Sequence, residues 1–93
     1  CKGMEGLVSE ALKHTIEDGP DMGPVLDAAI IAQYQRMTHY GITGFGTVAA
    51  FSKALKFEDD NKQLRAAVKD MYIADKLMTE LAEAAVNKDA VDE

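Results

Sequence analysis

The sequence predicts an all-α protein, and two long stretches carry that prediction. Residues 24–55 place apolar side chains at steps of mostly three and four, and Arg36 is the only formal charge between Asp27 and Lys53. Residues 58–87 repeat this apolar spacing on a charged segment. Helices that are neutral on every side are typically buried, so residues 24–55 must lie against partners.

We predict a single all-helical domain over residues 1–93, with helices at about 1–17, 24–55 and 58–87. Residues 18–24 contain two glycines, two prolines and two aspartates, which favours a loop. The polar residues 88–93 are expected to fray.

Each long helix has an apolar seam, and the short link at Lys56-Phe57 predicts that the two form an antiparallel hairpin. The acidic residues 58–60 and Asn61 are expected to cap the third helix, whose outer face should be charged and solvated. The seam of the second helix comprises Leu26, Ile30, Gln33, Met37, Gly41, Gly44, Val48, Phe51 and Leu55. The seam of the third helix comprises Leu64, Ala67, Met71, Ala74, Met78, Leu81 and Ala85.

The long second helix needs more cover than this chain provides. A helix of about 30 residues is roughly 45 Å long, and the first helix is about half that length. We therefore predict a homodimer through helices 24–55 and 58–87 that completes a four-helix bundle. The alternative is that a missing half of the same polypeptide covers the open side. Because the chain begins with Cys1 and not with Met, we expect a fragment.

Composition excludes two classes of partner. The net charge of −6 argues against nucleic acid and against anionic membrane surfaces. Polar residues such as Gln33, Arg36 and Thr43 interrupt any run of about 20 apolar residues that a membrane span needs. The single cysteine allows no intrachain disulfide, which fits a reducing compartment, and we expect a cytoplasmic protein.

His39, Asp70 and Asp75 are the candidate metal ligands. His39 lies in the uncharged helix, but a single histidine holds a metal poorly, because zinc and iron sites normally need three or four N, O or S ligands. Asp75 lies beside the seam of the third helix, where we expect it to pair with a base near Lys76 or with Arg36. Asp70 is expected to be solvated.

Gly41, Gly44 and Gly46 lie inside the second helix, where each costs about 1 kcal/mol relative to alanine. Such a cluster of glycines indicates that another interaction compensates for the lost helix stability. The leading interpretation is the close approach of another backbone, and the alternative is a π-bulge of the kind found near functional sites.

Several short blocks, in this order and spacing, resemble the YciE/YciF-type ferritin-like family of bacterial stress-associated proteins. The blocks are residues 1–7 (CKGMEGL), 27–32 (DAAIIA), 39–40 (HY) with 46–47 (GT), and 75–76 (DK) with 79–82 (TELA). The resemblance extends over nearly the whole chain and corresponds to the C-terminal half of a usual family member. It implies a ferritin-like bundle, commonly dimeric, with a di-metal carboxylate site.

The ligand positions that the resemblance assigns are altered in this chain. The family's Glu-His-Tyr-Glu and Glu-Glu motifs align with residues 38–41 (THYG) and 70–71 (DM). None of the three substituted side chains replaces a hard carboxylate ligand; they are Thr38, Gly41 and Met71. The resemblance therefore implies a degenerate metal site that keeps only the histidine and the two aspartates named above.

Three functions are compatible with the sequence. The leading hypothesis is a non-catalytic, self-associating ferritin-like protein, stress-related and without a cofactor. The second is a di-metal protein that binds iron, manganese or another divalent metal, with a site completed by a dimer partner or a missing segment. The third is a helical module that binds another protein.

Overall fold

The computed structural model describes residues 1–92, and three helical rods account for nearly all of them. The helices are α1 (Lys2–Leu12), α2 (Pro24–Ala54), α3 (Glu58–Leu81) and α4 (Asn87–Val91). Two π-helical segments, Lys13–Glu17 and Ala82–Val86, extend α1 and join α3 to α4. No strand occurs in the described part of the chain, which confirms the all-helical prediction. Within residues 1–92, none of the helices is long and apolar enough to span a bilayer.

The C-terminal residues are helical and not frayed. α4 packs against α2, and Val86 and Ala90 are half-buried. These two apolar side chains give the last turns a tertiary contact that the polar composition of the segment does not reveal. The prediction of fraying is therefore wrong for residues 88–91, and its last position, Glu93, lies outside the described residues.

A tight cap ends α2 and turns the chain into α3. Lys56 has a φ of 64°, in the left-handed region. Its N–H donates to the Lys53 carbonyl at 3.1 Å, and the Phe57 N–H donates to the Ser52 carbonyl at 2.9 Å. These are the two hydrogen bonds of a Schellman motif, in which the left-handed position is normally glycine.

α2 and α3 run antiparallel, as predicted, and polar side chains connect them along their length. Asn61 Nδ2 donates to the Ala49 carbonyl at 2.7 Å near the turn. Gln35 Nε2 donates to Thr79 Oγ1 at 2.8 Å farther along. The predicted capping of α3 by side chains is wrong, because Phe57 occupies the cap position and the Asn61 amide is directed at α2. The acidic first turn still complements the helix dipole.

The rods form one flat layer with overall extents of 53 × 29 × 13 Å. α1 and α3 both contact α2, and within the described residues they do not contact each other. The smallest extent is close to the diameter of a single helix with its side chains, about 10–12 Å. One copy therefore has no second layer. Its buried apolar residues are Ile31, Ile42, Ala49 and Ala82.

The predicted seam of α2 meets α3 only in part: Gln33 is buried and Gly41 faces Met71, but the C-terminal end of the seam is exposed. In its C-terminal half Val48, Phe51 and Leu55 are 54%, 65% and 60% exposed. The buried residues of α2 lie mostly off the seam, because a helix that is apolar on several sides can turn any of them towards its neighbour. The outer face of α3, predicted to be charged, also exposes Tyr72, Ile73 and Leu77.

Candidate functional site

His39 and Asp75 meet where α2 passes α3. His39 Nε2 lies 2.9 Å from Asp75 Oδ1, and the two side chains are 57% and 19% exposed. The contact lacks hydrogen-bond geometry, and within residues 1–92 this buried oxygen has no hydrogen-bond partner. Asp75 thus pairs with a base, as expected, but that base is His39 and not Arg36. Arg36 instead lines a surface groove with Leu7 of α1.

Asp70 lies apart from this pair. Residues 70 and 75 point in directions about 140° apart, since each helical residue turns by about 100°. Asp70 is exposed and lines a different groove between α2 and α3, as Met71 does. The structure thus brings His39 and Asp75 together and leaves Asp70 on another face.

The groove beside Asp70 contains all four positions of this chain that the resemblance aligns with family carboxylates. These positions are Thr38, Gly41, Asp70 and Met71. The rest of its lining is apolar or aromatic: Met4, Tyr34, Met37, Phe45, Ala67 and Ala74. The positions that the resemblance identifies as altered therefore lie together in the folded chain.

Gly41 and Met71 are in close contact across the groove. A Cβ atom at Gly41 would lie 3.3 Å from Met71 Sδ and 3.6 Å from its Cε. The expected close approach of another backbone is therefore wrong: among the described residues, the only neighbour of a Cβ at Gly41 is the Met71 side chain. Gly44 and Gly46 have open space where a Cβ would be. The helix is regular α-helix across all three, so the alternative of a π-bulge there is wrong.

The donor atoms of this groove do not fit a di-metal carboxylate centre. It offers one carboxylate from Asp70, a hydroxyl from Thr38, a phenol from Tyr34 and methionine thioethers. Iron, manganese and similar ions need several carboxylate or imidazole ligands at one point. Within residues 1–92, no three histidine, cysteine, aspartate or glutamate side chains converge in such a way.

One contact was missed by the sequence analysis. Tyr40 lies directly over Gly3 of α1, where an added Cβ would come within 2.8 Å of the ring. Its hydroxyl is 3.1 Å from Cys1 Sγ. The contact positions α1 on α2. The only sign of it in the sequence was Gly3, a glycine near the start of an otherwise regular helix.

Comparison with known proteins places the chain in a family. The family described as Domain of unknown function (DUF892) matches residues 1–91. Protein YciF of Escherichia coli (strain K12) is 34% identical over 90 residues, which are 97% of this chain and 53% of YciF. The chain therefore spans about half the length of this relative. No solved structure matches the chain. The chain belongs to the YciF-type family, a domain family of unknown function named DUF892.

Proposed function

We propose that this chain is a non-catalytic, ferritin-like helical protein that self-associates into a bundle and has a structural role. The observation that carries the proposal is the thinness of a single copy. The layer is 13 Å thick, and its buried apolar residues are two isoleucines and two alanines. A protein of this kind reaches a full core only when another layer covers it.

The exposed aromatic residues support the same proposal. Phe45, Phe51 and Phe57 are 43%, 65% and 55% exposed, and they are all the phenylalanines of the chain. Full burial of one such side chain contributes about 1.5–3 kcal/mol. Small domains bury only about 60% of their unfolded surface and are marginal for that reason. Burial of these three rings would therefore supply a large share of the stability available to this chain.

The groove chemistry supports the absence of catalysis. Met71 lies against Gly41 at positions where the resemblance places metal-ligating glutamates, so the interior of the groove is apolar. No set of side chains there has the donors for a redox or hydrolytic metal centre. The His39–Asp75 pair lies elsewhere and provides one imidazole and one carboxylate.

A second candidate is a metal-binding protein whose site is completed by other residues. The observation that favours it is the position of Asp70, a carboxylate in the groove at a family ligand position. Residues from a second copy or from a longer polypeptide would have to supply the missing ligands. We propose a stress response as the physiological setting, because the resembled family is stress-associated. Survival of a deletion strain under stress would test this setting.

Metal analysis of protein purified without chelator separates the two candidates. We expect less than about 0.1 equivalent of iron, manganese or zinc per chain, because a single carboxylate with thioethers binds these ions poorly. Stoichiometric metal that is lost in Asp70→Ala and kept in Asp59→Ala would establish the second candidate. Asp59 is the matched control, an exposed aspartate in the first turn of α3.

Light scattering coupled to size exclusion tests the self-association. The chain has a mass of 10.1 kDa, and the proposal predicts twice that mass in solution. A helical species that keeps the mass of one chain at all concentrations would refute self-association. In that case a foreign helix or the rest of a longer polypeptide must cover the layer.

A further inference from the structure

A groove beside the α2–α3 turn, which we name the cationic groove, is rich in positive charge. It has a volume of about 490 Å³ and is lined by Lys53, Lys56, Glu58, Asn61 and Arg65. Three of the ten lysine and arginine residues of the chain therefore line one groove, although the net charge of the chain is −6. The only carboxylate in the lining is that of Glu58, so the lining carries a charge of +2.

The packing of the α2–α3 hairpin places these cations around one polar contact. Asn61 Nδ2 of α3 donates to the Ala49 carbonyl of α2 at 2.7 Å. Lys53 follows Ala49 by one helical turn, and Arg65 follows Asn61 by one turn, so each pair shares a face of its helix. Because the two helices are antiparallel, Lys53 and Arg65 lie on either side of this hydrogen bond, and both side chains line the same groove.

Within residues 1–92, none of the three cations of the cationic groove forms an ion pair. The ion pairs of the described residues are those of His14, His39 and Lys76. The first turn of α3 contains three acidic residues, at positions 58–60, yet they do not pair with these cations. Like charges in one groove repel each other, so a bound anion would lower the free energy of the site.

The backbone of Lys56 indicates independently that its side chain has a role. Its φ of 64° is in the left-handed region, where a Schellman motif normally has glycine. Lys53 has an ordinary explanation, because a cation in the last turn of α2 complements the helix dipole. For Lys56 the same benefit is smaller than the cost of its left-handed backbone, which glycine avoids. Strained residues of this kind cluster at functional sites.

We propose that the cationic groove binds the phosphate group of a small phosphorylated molecule. A phosphate monoester carries a charge of about −1.5 to −2 at pH 7, which matches the charge of +2 in the groove lining. Its oxygens accept hydrogen bonds from the Arg65 guanidinium and from two lysine ammonium groups at once. A monocarboxylate neutralises only half of the groove charge. The net charge of −6 argues against a polyanion such as nucleic acid, so the ligand is compact.

The cationic groove lies on another side of the hairpin from the large apolar groove near the turn. The two grooves share no lining residue. Lys53 lies about 200° around α2 from Leu55, which lines the apolar groove. A layer that covers the apolar groove therefore leaves the cationic groove in solvent. The proposal is thus independent of self-association, and it adds a binding function to the structural role proposed above.

Nuclear magnetic resonance titration of the isotopically labelled chain tests the site. Inorganic phosphate, adenosine monophosphate and acetate are added separately at constant ionic strength and neutral pH. We expect amide shifts within residues 53–65 and a dissociation constant of about 1 mM or tighter for both phosphate probes. Acetate should bind at least about tenfold more weakly, because it carries about half the charge. Equal affinities for acetate and phosphate would refute the proposal.

Lys56→Gly separates binding from folding. The change removes a cation and relieves the strained backbone, so the chain should stay folded and bind phosphate about fivefold more weakly. Lys56→Arg keeps the cation and should stay within about twofold of the unmodified chain. Lys62→Ala is the matched control, because it removes the same charge from an exposed position of α3 outside the groove lining, and it should also stay within about twofold. Equal weakening by Lys56→Gly and Lys62→Ala would overturn the proposal, since net charge alone would then attract the anion.

The two phosphate probes identify the source of the phosphate group. Equal affinities show that the groove recognises the phosphate alone, and at least about tenfold tighter binding of adenosine monophosphate shows that a nucleotide is the ligand. Either result supports the site. If neither probe shifts the amides of residues 53–65 at about 10 mM, the proposal fails, and the proposed self-association is unaffected.

Discussion

The Cβ position of Gly41 lies 3.3 Å from Met71 Sδ, so a glycine and a thioether are in contact across the α2–α3 groove. The contact leaves no space for a larger side chain at residue 41 unless Met71 moves. It occupies the place where the resemblance expects metal-binding carboxylates. The same pair therefore connects the packing of the hairpin with the proposed absence of a metal centre.

Alanine substitutions in α2 test this contact. Gly46→Ala should stabilise the chain by about 1 kcal/mol, because its Cβ meets open space and alanine is the better helix former. Gly41→Ala gains the same propensity but must displace Met71, so we expect it to be at least about 0.5 kcal/mol less stable than Gly46→Ala. Urea unfolding followed by circular dichroism measures the difference. Equal stabilisation by both changes would show that Met71 does not restrict residue 41.

Lys56 provides a test of the turn between α2 and α3. Its left-handed φ of 64° costs an L-residue roughly 1–2 kcal/mol, which glycine avoids. Lys56→Gly should therefore stabilise the chain by about 1 kcal/mol, after allowance for the greater freedom of glycine in the unfolded state. Lys53→Gly, in the last turn of α2, removes the same side chain at a helical position and should destabilise by up to about 1 kcal/mol. A loss of stability in both variants would show that the left-handed conformation of Lys56 does not destabilise the chain.

Gly3 tests the docking of α1 on α2. Gly3→Ala places a methyl group against the ring of Tyr40 and should break the contact of its hydroxyl with Cys1. We expect a loss of about 1 kcal/mol or more relative to Gly6→Ala, whose Cβ meets no atom within 4 Å. Hydrogen exchange of the α1 amides reports the same loss locally. Unchanged protection of α1 in Gly3→Ala would contradict this packing.

The unequal exposure of His39 and Asp75 predicts an asymmetry between their substitutions. His39→Ala leaves the carboxylate, 19% exposed, without its partner, whereas Asp75→Ala leaves an imidazole that is 57% exposed and can be hydrated. We expect His39→Ala to cost about 1 kcal/mol and the double variant to cost less than that single change. Urea unfolding of the four proteins completes the cycle. Additive losses in the double variant would mean that the two residues do not interact.

The starts of α2 and α3 could be predicted from sequence because local chemistry determines them. Pro24 after a glycine- and aspartate-rich segment begins α2 at the predicted residue, and α3 begins at the predicted Glu58. The orientation of α2 about its own axis could not be predicted. Its sides are all neutral, so nothing in the sequence says whether Ile42 or Val48 faces α3.

The candidate site could be predicted only in part. The alignment of motifs identified Thr38, Gly41 and Met71 as substituted positions, and the structure places them in one groove. The pairing of His39 with Asp75 joins residues on two helices, and it depends on how the helices pack and not on local spacing. The contact between Gly41 and Met71 was beyond prediction for the same reason, although the glycine itself indicated a close approach.

Urea unfolding of the unmodified chain at two protein concentrations tests most directly whether a second copy covers the helical layer. If folding and association are coupled, a concentration about 100-fold higher raises the free energy of unfolding by about 2.7 kcal/mol and moves the midpoint to higher urea. We predict this shift for the unmodified chain. A folded chain whose midpoint is the same at both concentrations would contradict the account, since one copy would then be stable without a partner.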